Sequence, residues 1–288
     1  MVTPFRGPSM SEVDYESLDR LTNFLIDNGV NALMPLGTSG EFALLNRSEK
    51  EQVIERVVDR ANGRVPVVAG VSEPATKNAC DLARFAKEVG ADAVISTGPF
   101  YYKTNDDGLL LHYQSLLDKT DLPLMIYNIP SYAGYNIQPE VVKKLSEQNP
   151  GLVRGVKFTT NDLSLFLDYL RLLGKEMQIM IGADSIFVSA LDLGAAGGVL
   201  GSANVLPKET LSIYQNFAKG DAEEARRMQK KIDQFTSVMT LGTYPASLKY
   251  ALRLLGMECG EVRPPLVPLN SEEEAKVRDS LSWKIKTQ

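Results

Sequence analysis

The stretch PLMIYNIPSYAGYNIQPEVVKKLSEQNPGLVRGVKF, residues 123–158, decides the fold. It opens with a short apolar run at residues 123–127 and closes with a second one at residues 152–158. Between them, residues 139–148 have the length and the amphipathic pattern of a helix. Two strands joined by a helical crossover lie parallel in one sheet, so this stretch predicts a parallel strand–helix–strand unit.

The same alternation runs outward from this unit in both directions. Apolar runs predict further strands at residues 31–36, 65–71, 93–96, 178–181 and 198–200, and residues 1–5 complete a set of eight. Helices are predicted at residues 15–28, 48–61, 77–89, 139–148, 164–173, 185–193 and 208–219. This pattern predicts an α/β fold, a (β/α)8 TIM barrel. The alternative is an open doubly wound sheet, which would want a glycine-rich phosphate loop that residues 6–9 lack.

Local signals mark the ends of several helices. Ser48 and Glu51 are predicted to form a capping box at the start of the second helix. Five glycines follow predicted helices, where a left-handed closing residue is expected. They are Gly29, Gly63, Gly90, Gly174 and Gly194.

Three further helices are predicted after the repeats, at residues 222–239, 245–255 and 271–283. No linker composition separates them from the preceding units. We therefore expect residues 1–220 to form the barrel and residues 221–288 to form a C-terminal helical extension packed on it.

The composition of the chain limits which binding partners and which cellular compartment are expected. The chain has 288 residues and a net charge of -5, so it has no basic field for nucleic acid or an anionic membrane. No apolar run approaches the ~20 residues of a transmembrane helix. Two distant cysteines, Cys80 and Cys259, and the absence of a signal-peptide pattern predict a cytoplasmic protein.

Lys157 is the most informative residue for function. In a (β/α)8 barrel, catalytic residues lie at the carboxyl ends of the strands and in the loops that follow. By strand alternation, Val153, Gly155 and Lys157 share one face, and we expect Gly155 to leave room for a substrate. Burial disfavours the ammonium form of a lysine and leaves an amine that can attack a ketone. The spacing alone leaves open a lysine that reaches the surface and pairs with a carboxylate.

Two other strand ends carry candidate groups. Tyr127 ends the strand before that of Lys157, and neighbouring parallel strands lie ~5 Å apart, so its phenol can relay protons there. A core tyrosine with its hydroxyl at the rim is the open alternative. Residues 37–41, with Thr38 and Ser39 between two glycines, offer hydroxyl and N–H groups to a carboxylate.

The single histidine, His112, lies in a helix-like stretch and is interpreted as an ordinary helix residue. A zinc-dependent aldolase needs several histidine or cysteine ligands at short spacing, and none are present. We therefore predict an enzyme without a metal or other cofactor.

Together these stretches resemble the dihydrodipicolinate synthase and N-acetylneuraminate lyase family along nearly the whole chain. The motifs that carry the resemblance are residues 2–5, 37–41, 45–49, 127–131, 155–157 and 263–266. It implies a pyruvate Schiff base on Lys157, with Tyr127 as the proton relay. Thr38 would link Tyr127 to Tyr101 from a neighbouring subunit of a homotetramer, a dimer of dimers, and Thr38 and Ser39 would hold the pyruvate carboxylate.

Further substrate-binding candidates lie on the loops and strand ends around these residues. They are Tyr132, Gly182, Val199 and Leu200.

Two departures from the family pattern bear on the substrate. Tyr132 stands where dihydrodipicolinate synthases have an arginine for the second substrate's carboxylate, although Lys103 could replace that cation. Ser185 follows Asp184 where sialic acid lyases have an acidic residue. Both departures favour the 2-keto-3-deoxygluconate aldolase branch.

The leading hypothesis is thus a carbon–carbon lyase that cleaves a 2-keto-3-deoxy sugar acid, or its phosphate, to pyruvate and an aldehyde. One alternative is a dihydrodipicolinate synthase that condenses pyruvate with aspartate semialdehyde. The other is a catalytically silent paralogue that binds a keto acid.

Overall fold

A computed structural model describes residues 1–285 of the chain. The strands are β1 (Phe5–Arg6), β2 (Glu12–Val13), β3 (Val68–Gly70), β4 (Ala93–Thr97), β5 (Leu124–Asn128), β6 (Val153–Phe158), β7 (Gln178–Ile181) and β8 (Gly197–Gly198). The helices are α1 (Tyr15–Asp27), α2 (Arg47–Ala61), α3 (Thr76–Glu88), α4 (Asp106–Thr120), α5 (Pro130–Ala133), α6 (Pro139–Gln148), α7 (Leu163–Leu173), α8 (Phe187–Leu193), α9 (Pro207–Ala218), α10 (Ala222–Thr236), α11 (Ala246–Leu254), α12 (Ser271–Ser280) and α13 (Ser282–Ile285).

Val67–Leu200 forms one of two structural units. Its six strands, β3 to β8, form one parallel sheet in which successive strands along the chain are hydrogen-bonded neighbours. A helix connects each strand to the next, as the alternation predicts. The strands β3 to β7 carry buried apolar residues, and core aromatic residues of the unit, such as Phe158, Phe166 and Tyr169, are fully buried.

The second unit combines residues 1–66 with residues from 201 onward. It contains β1, β2, α1, α2 and the helices from α9 to α13. The three predicted tail helices are present among the described residues, although the last one is interrupted between α12 and α13. Residues 286–288 lie outside the described part of the chain, and the predicted boundary at residue 220 stays a prediction.

Two strand predictions near the N-terminus are wrong. Phe5–Arg6 forms a short antiparallel pair with Glu12–Val13, so the opening residues turn back on themselves. The run at residues 31–36 forms a single bridge instead of a strand, in which the Leu33 N–H donates to the Pro66 carbonyl at 2.9 Å. An apolar run indicates burial, and most residues of these two segments are buried without an extended ladder.

Two local predictions also need correction. The capping box of α2 is formed by Asn46 and Glu49, two residues earlier than the predicted box of Ser48 and Glu51. Gly174 has a right-handed conformation with φ of -63°. The other four glycines have positive φ, as predicted.

Within residues 1–285, no helix is long and apolar enough to cross a membrane.

Candidate active site

Lys157 is a buried amine on β6. Of the six residues of β6, only Arg154 is exposed, so Lys157 is buried together with the residues on both faces of the strand. Only 6% of Lys157 is accessible. The interpretation of Lys157 as a surface lysine is therefore wrong for this chain.

Tyr127 lies directly beside Lys157. The two residues are partners in the parallel pairing of β5 and β6, and Tyr127 is itself 4% exposed. The Lys157 Nζ atom lies 4.1 Å from the centre of the Tyr127 ring. Sequence alternation and strand order were sufficient to predict this proximity.

Gly182 permits close approach of the backbone after β7 to Lys157 and Thr159. A Cβ atom at this position would lie 3.0 Å from Lys157 Cε and 2.0 Å from Thr159 Oγ1, so a larger residue would collide with both. Gly155 has a different role from the one predicted. A Cβ atom there would lie 2.2 Å from the Gln178 carbonyl oxygen, so this glycine permits close approach of β7 and does not make room for a substrate.

Thr159 is a site residue that the sequence analysis missed. Its Oγ1 atom is buried and has no hydrogen-bond partner among residues 1–285. A buried hydroxyl without a partner costs free energy, so such an atom beside a nucleophile is a candidate contact for a bound substrate. The signal was available, because Gly155, Lys157 and Thr159 fall on one face by period-two alternation.

In the same unit, the segment that follows β4 and the segment that follows β5 are joined by a hydrogen bond. The Tyr135 hydroxyl donates to the Pro99 carbonyl at 2.5 Å. On the same loops, Lys103 Cε lies 3.9 Å from the position that a Cβ atom on Gly134 would occupy. Partial burial, and to a smaller extent the nearby Tyr127 phenol, raises the pKa of Tyr132.

Tyr101 points away from its own unit. Its side chain is 87% exposed, and its backbone has φ of 77°, which is unusual for a residue with a side chain. It packs edge-on against the exposed Tyr102, with ring centres 5.0 Å apart. The structure of the single chain does not test its predicted role in a neighbour's site.

Thr38 and Ser39 lie in the other unit, in the short 3-10 turn Thr38–Gly40. The turn ends at Glu41, which has the left-handed φ of 53°. Thr3 Oγ1 donates to the Gly40 carbonyl at 2.7 Å. The Ser39 Oγ atom lies 2.6 Å from the hydroxyl of Tyr244, a residue 205 positions away that no sequence signal indicated.

Val199 and Leu200 follow β8. The Val199 N–H donates to the Ile181 carbonyl at 2.8 Å, so it continues the pairing with β7. The Leu200 side chain is buried over Gly198. Their predicted contacts with substrate stay predictions.

No group of three histidine, cysteine, aspartate or glutamate side chains that could hold a metal ion occurs within residues 1–285. The expectation of activity without a metal stays a prediction.

A buried lysine beside a tyrosine, at neighbouring strand ends of a parallel α/β sheet, is an arrangement suited to an enzyme that forms a Schiff base with a carbonyl substrate. The sequence matches the Dihydrodipicolinate synthetase family over residues 1–284, and the chain belongs to that family. It is accordingly a Schiff-base-forming carbon–carbon lyase.

Relatives of known name cover almost the whole chain. A 4-hydroxy-tetrahydrodipicolinate synthase of Nitratidesulfovibrio vulgaris is 36% identical over 282 residues, which are 98% of this chain and 95% of that protein. The crystal structure of dihydrodipicolinate synthase from Aquifex aeolicus is similar with a TM-score of 0.94 at 34% identity, covering 99% of this chain and 96% of that one. YagE, a prophage protein of the family from Escherichia coli K12 solved with pyruvate, has a TM-score of 0.93 at 25% identity, covering 99% and 96%.

These comparisons confirm the fold class, a (β/α)8 barrel with a C-terminal helical extension. They correct the choice of branch, because relatives across the chain's full length are named 4-hydroxy-tetrahydrodipicolinate synthase and not 2-keto-3-deoxygluconate aldolase. The interpretation as an aldolase of sugar acids is therefore wrong. It relied on two loop positions, Tyr132 and Ser185, and a cation on another loop can replace a missing arginine.

Proposed function

We propose that the enzyme condenses pyruvate with aspartate semialdehyde, as the name of its relatives indicates. The observation that carries the proposal is the buried Lys157 amine against the Tyr127 ring, in a chain that resembles these relatives over nearly its full length. Membership of a lyase family argues against a catalytically silent paralogue.

The chemistry starts from the amine of Lys157, which lies in a buried place. The Lys157 Nζ atom attacks the keto carbon of pyruvate, and the carbinolamine loses water to give an imine. The methyl group of the bound pyruvate then loses a proton, and the resulting enamine carbon attacks the aldehyde carbon of the second substrate. The Tyr127 phenol is suited to move these protons, because the Lys157 nitrogen lies 4.1 Å from the centre of its ring.

Three further roles belong to the proposal. Thr38 and Ser39 hold the pyruvate carboxylate through hydroxyl and backbone N–H groups. Gly182, Val199, Leu200 and Tyr132 complete the substrate contacts. Tyr101 serves the site of a second copy, and its 87% exposure in the single chain supports this role.

Lys103 is the proposed partner of the carboxylate of aspartate semialdehyde. Its stem lies against Gly134, on the loop that carries Tyr132. An ammonium group there supplies a charge-assisted hydrogen bond to the carboxylate, although as a point charge and not as the planar fork of an arginine.

We also propose that the enzyme works in the cytoplasm as a homotetramer. Both cysteines are unpaired and buried, which suits a reducing compartment.

The proposal is tested by comparing the purified enzyme's kcat/KM for aspartate semialdehyde and for glyceraldehyde, each with saturating pyruvate. We expect a preference for aspartate semialdehyde. In the variant Lys103→Met, the KM for aspartate semialdehyde should rise about tenfold, since charged hydrogen bonds contribute roughly 1.5–3 kcal/mol. Lys144→Met, a change at an exposed lysine on α6, is the matched control. A preference for glyceraldehyde would contradict the proposal.

A further inference from the structure

Tyr244 is fixed in place beside the hydroxyl of Ser39. Its hydroxyl lies 2.6 Å from Ser39 Oγ. It also lies over the backbone of Gly201, where a Cβ atom would come within 3.0 Å of the Tyr244 oxygen and 3.1 Å of the Met239 sulfur. The phenol oxygen thus lies close to the backbone of Gly201 as well as to the Ser39 hydroxyl.

The donor and acceptor roles in this pair follow from the number of protons. Each hydroxyl has one proton to donate, and its oxygen can accept. When Ser39 donates its proton to a substrate carboxylate, its oxygen remains free to accept. Tyr244 then has to donate to Ser39, and this bond orients the serine hydroxyl toward the carboxylate.

A second contact joins the same two segments. Lys249, five residues after Tyr244, places its Nζ atom 2.7 Å from the Glu41 carboxylate, two residues after Ser39. The segment from Tyr244 to Lys249 thus holds both the hydroxyl and the end of the Thr38–Gly40 turn.

We propose that Tyr244 is a positioning residue for pyruvate: it donates its hydroxyl proton to Ser39 and so orients the serine toward the substrate carboxylate. This inference rests on the proposed function, in which Ser39 binds that carboxylate. It assigns a role in substrate binding to a residue of the segment that leads into α11, outside the strand-end loops.

The test is the pyruvate concentration that gives half-maximal borohydride trapping on Lys157, because this measurement needs no second substrate. In Tyr244→Phe, this concentration should rise roughly three- to tenfold, as expected for the loss of one hydrogen bond. The maximal extent of trapping should not change. Ser39→Ala should raise the concentration as well, and the double variant should show no further increase over Ser39→Ala.

Tyr250→Phe is the matched control on the same segment. The Tyr250 hydroxyl accepts a hydrogen bond from Arg278 at 2.7 Å, so this change alters packing on α11 without touching Ser39. It should leave half-maximal trapping unchanged. An unchanged value in Tyr244→Phe, or increases that add independently in the double variant, would overturn the inference while leaving the proposed function intact. Failure of the parent enzyme to trap pyruvate would overturn both.

Discussion

At the scale of single residues, the nucleophile and a buried hydroxyl group near it belong to the same candidate site. Lys157 has the aromatic face of Tyr127 on one side, and its side chain and that of Thr159 both lie close to Gly182. The Thr159 hydroxyl is buried and has no hydrogen-bond partner within the described residues. A buried hydroxyl without a partner lowers stability, so we expect Thr159 to form its hydrogen bond with a bound substrate.

Replacement of Thr159 by valine should therefore lower the activity without lowering the stability. Thr159→Val removes the unsatisfied hydroxyl, so the free energy of unfolding should stay constant or rise by about 1 kcal/mol. The kcat/KM should fall about tenfold, because the substrate loses one contact. Denaturant unfolding and steady-state kinetics measure the two effects.

The neighbouring change Thr160→Val is the control. Thr160 Oγ1 accepts a hydrogen bond from the Asp162 N–H at 3.2 Å, so its loss should lower stability and leave kcat/KM nearly unchanged. If Thr159→Val instead lowers stability and leaves kcat/KM unchanged, the hydroxyl has a structural partner and no role in the site.

His112 should make stability depend on pH. It is 1% exposed on α4, and its Nδ1 atom lies 3.0 Å from Thr76 Oγ1. Burial lowers the pKa of His112 to about 4. The folded protein thus keeps the ring neutral, whereas the unfolded chain takes up a proton near pH 6.5, so stability is lost as the pH falls from 6.5 to about 4.

This loss amounts to about 2 kcal/mol between pH 7 and pH 5. The variant His112→Gln lacks the titrating ring, and its stability should fall less over that interval by about the same amount. Denaturant unfolding of both proteins at the two pH values gives the comparison. If both proteins lose the same unfolding free energy between the two pH values, the ring accepts a proton in the folded state and the prediction is wrong.

Sequence reasoning succeeded for residues whose partners are set by local periodicity. Lys157 and Tyr127 occupy paired positions on neighbouring strands, so alternation and strand order predict their contact. Tyr244 could not be predicted, because a contact across 205 residues depends on tertiary packing. The substrate branch was predicted wrongly from Tyr132, since loop positions can exchange a charge without changing the fold.

At the scale of elements, α11 and the Thr38–Gly40 turn depend on a buried ion pair. Both partners of the pair between Lys249 and Glu41 are almost completely buried. Burial raises the pKa of Glu41 against the opposing effect of Lys249. The pair is supported by hydrogen bonds from Lys249 to the Glu261 carbonyl at 2.9 Å and from the Arg263 N–H to Glu41 at 2.8 Å.

Removal of the lysine should strongly destabilise this unit. Lys249→Met leaves a buried carboxylate without its cation, which costs about 3–5 kcal/mol. The double variant Lys249→Met with Glu41→Gln should recover part of that loss, because no buried charge then remains. Unfolding free energies of the three proteins measure the effect.

An exposed pair on α12 is the control for this prediction. Lys276 and Glu272 lie 2.6 Å apart at the surface, where solvent screens an ion pair and it contributes little to stability. Lys276→Met should thus have little effect. Equal losses in Lys249→Met and Lys276→Met would contradict the role given to the buried pair.

The regular elements were predictable wherever strand and helix alternate cleanly. The strand at Gln178–Ile181 and the helix at Pro139–Gln148 have the predicted bounds. The predictions failed at residues 1–5 and 31–36, because burial alone gives an apolar run whether or not the backbone pairs. At the start of α2, the sequence allows two capping boxes, one that starts at Asn46 with Glu49 and one that starts at Ser48. The sequence pattern alone does not distinguish them.

At the scale of the whole molecule, the exposed Tyr101 predicts self-association. If Tyr101 completes the site of a second copy, Tyr101→Phe should lower kcat strongly and leave pyruvate trapping on Lys157 largely intact. Sedimentation velocity of the parent enzyme should show an oligomer. A monomer with full activity would contradict this account of Tyr101.

The central claim is that Lys157 carries the substrate, and its most direct test is the site of covalent trapping. The enzyme is incubated with pyruvate and borohydride, digested, and the modified peptide is identified by mass spectrometry. We predict one adduct, on Lys157, and neither adduct nor turnover in Lys157→Ala. An adduct on a different lysine, or a fully active Lys157→Ala variant, would contradict the account.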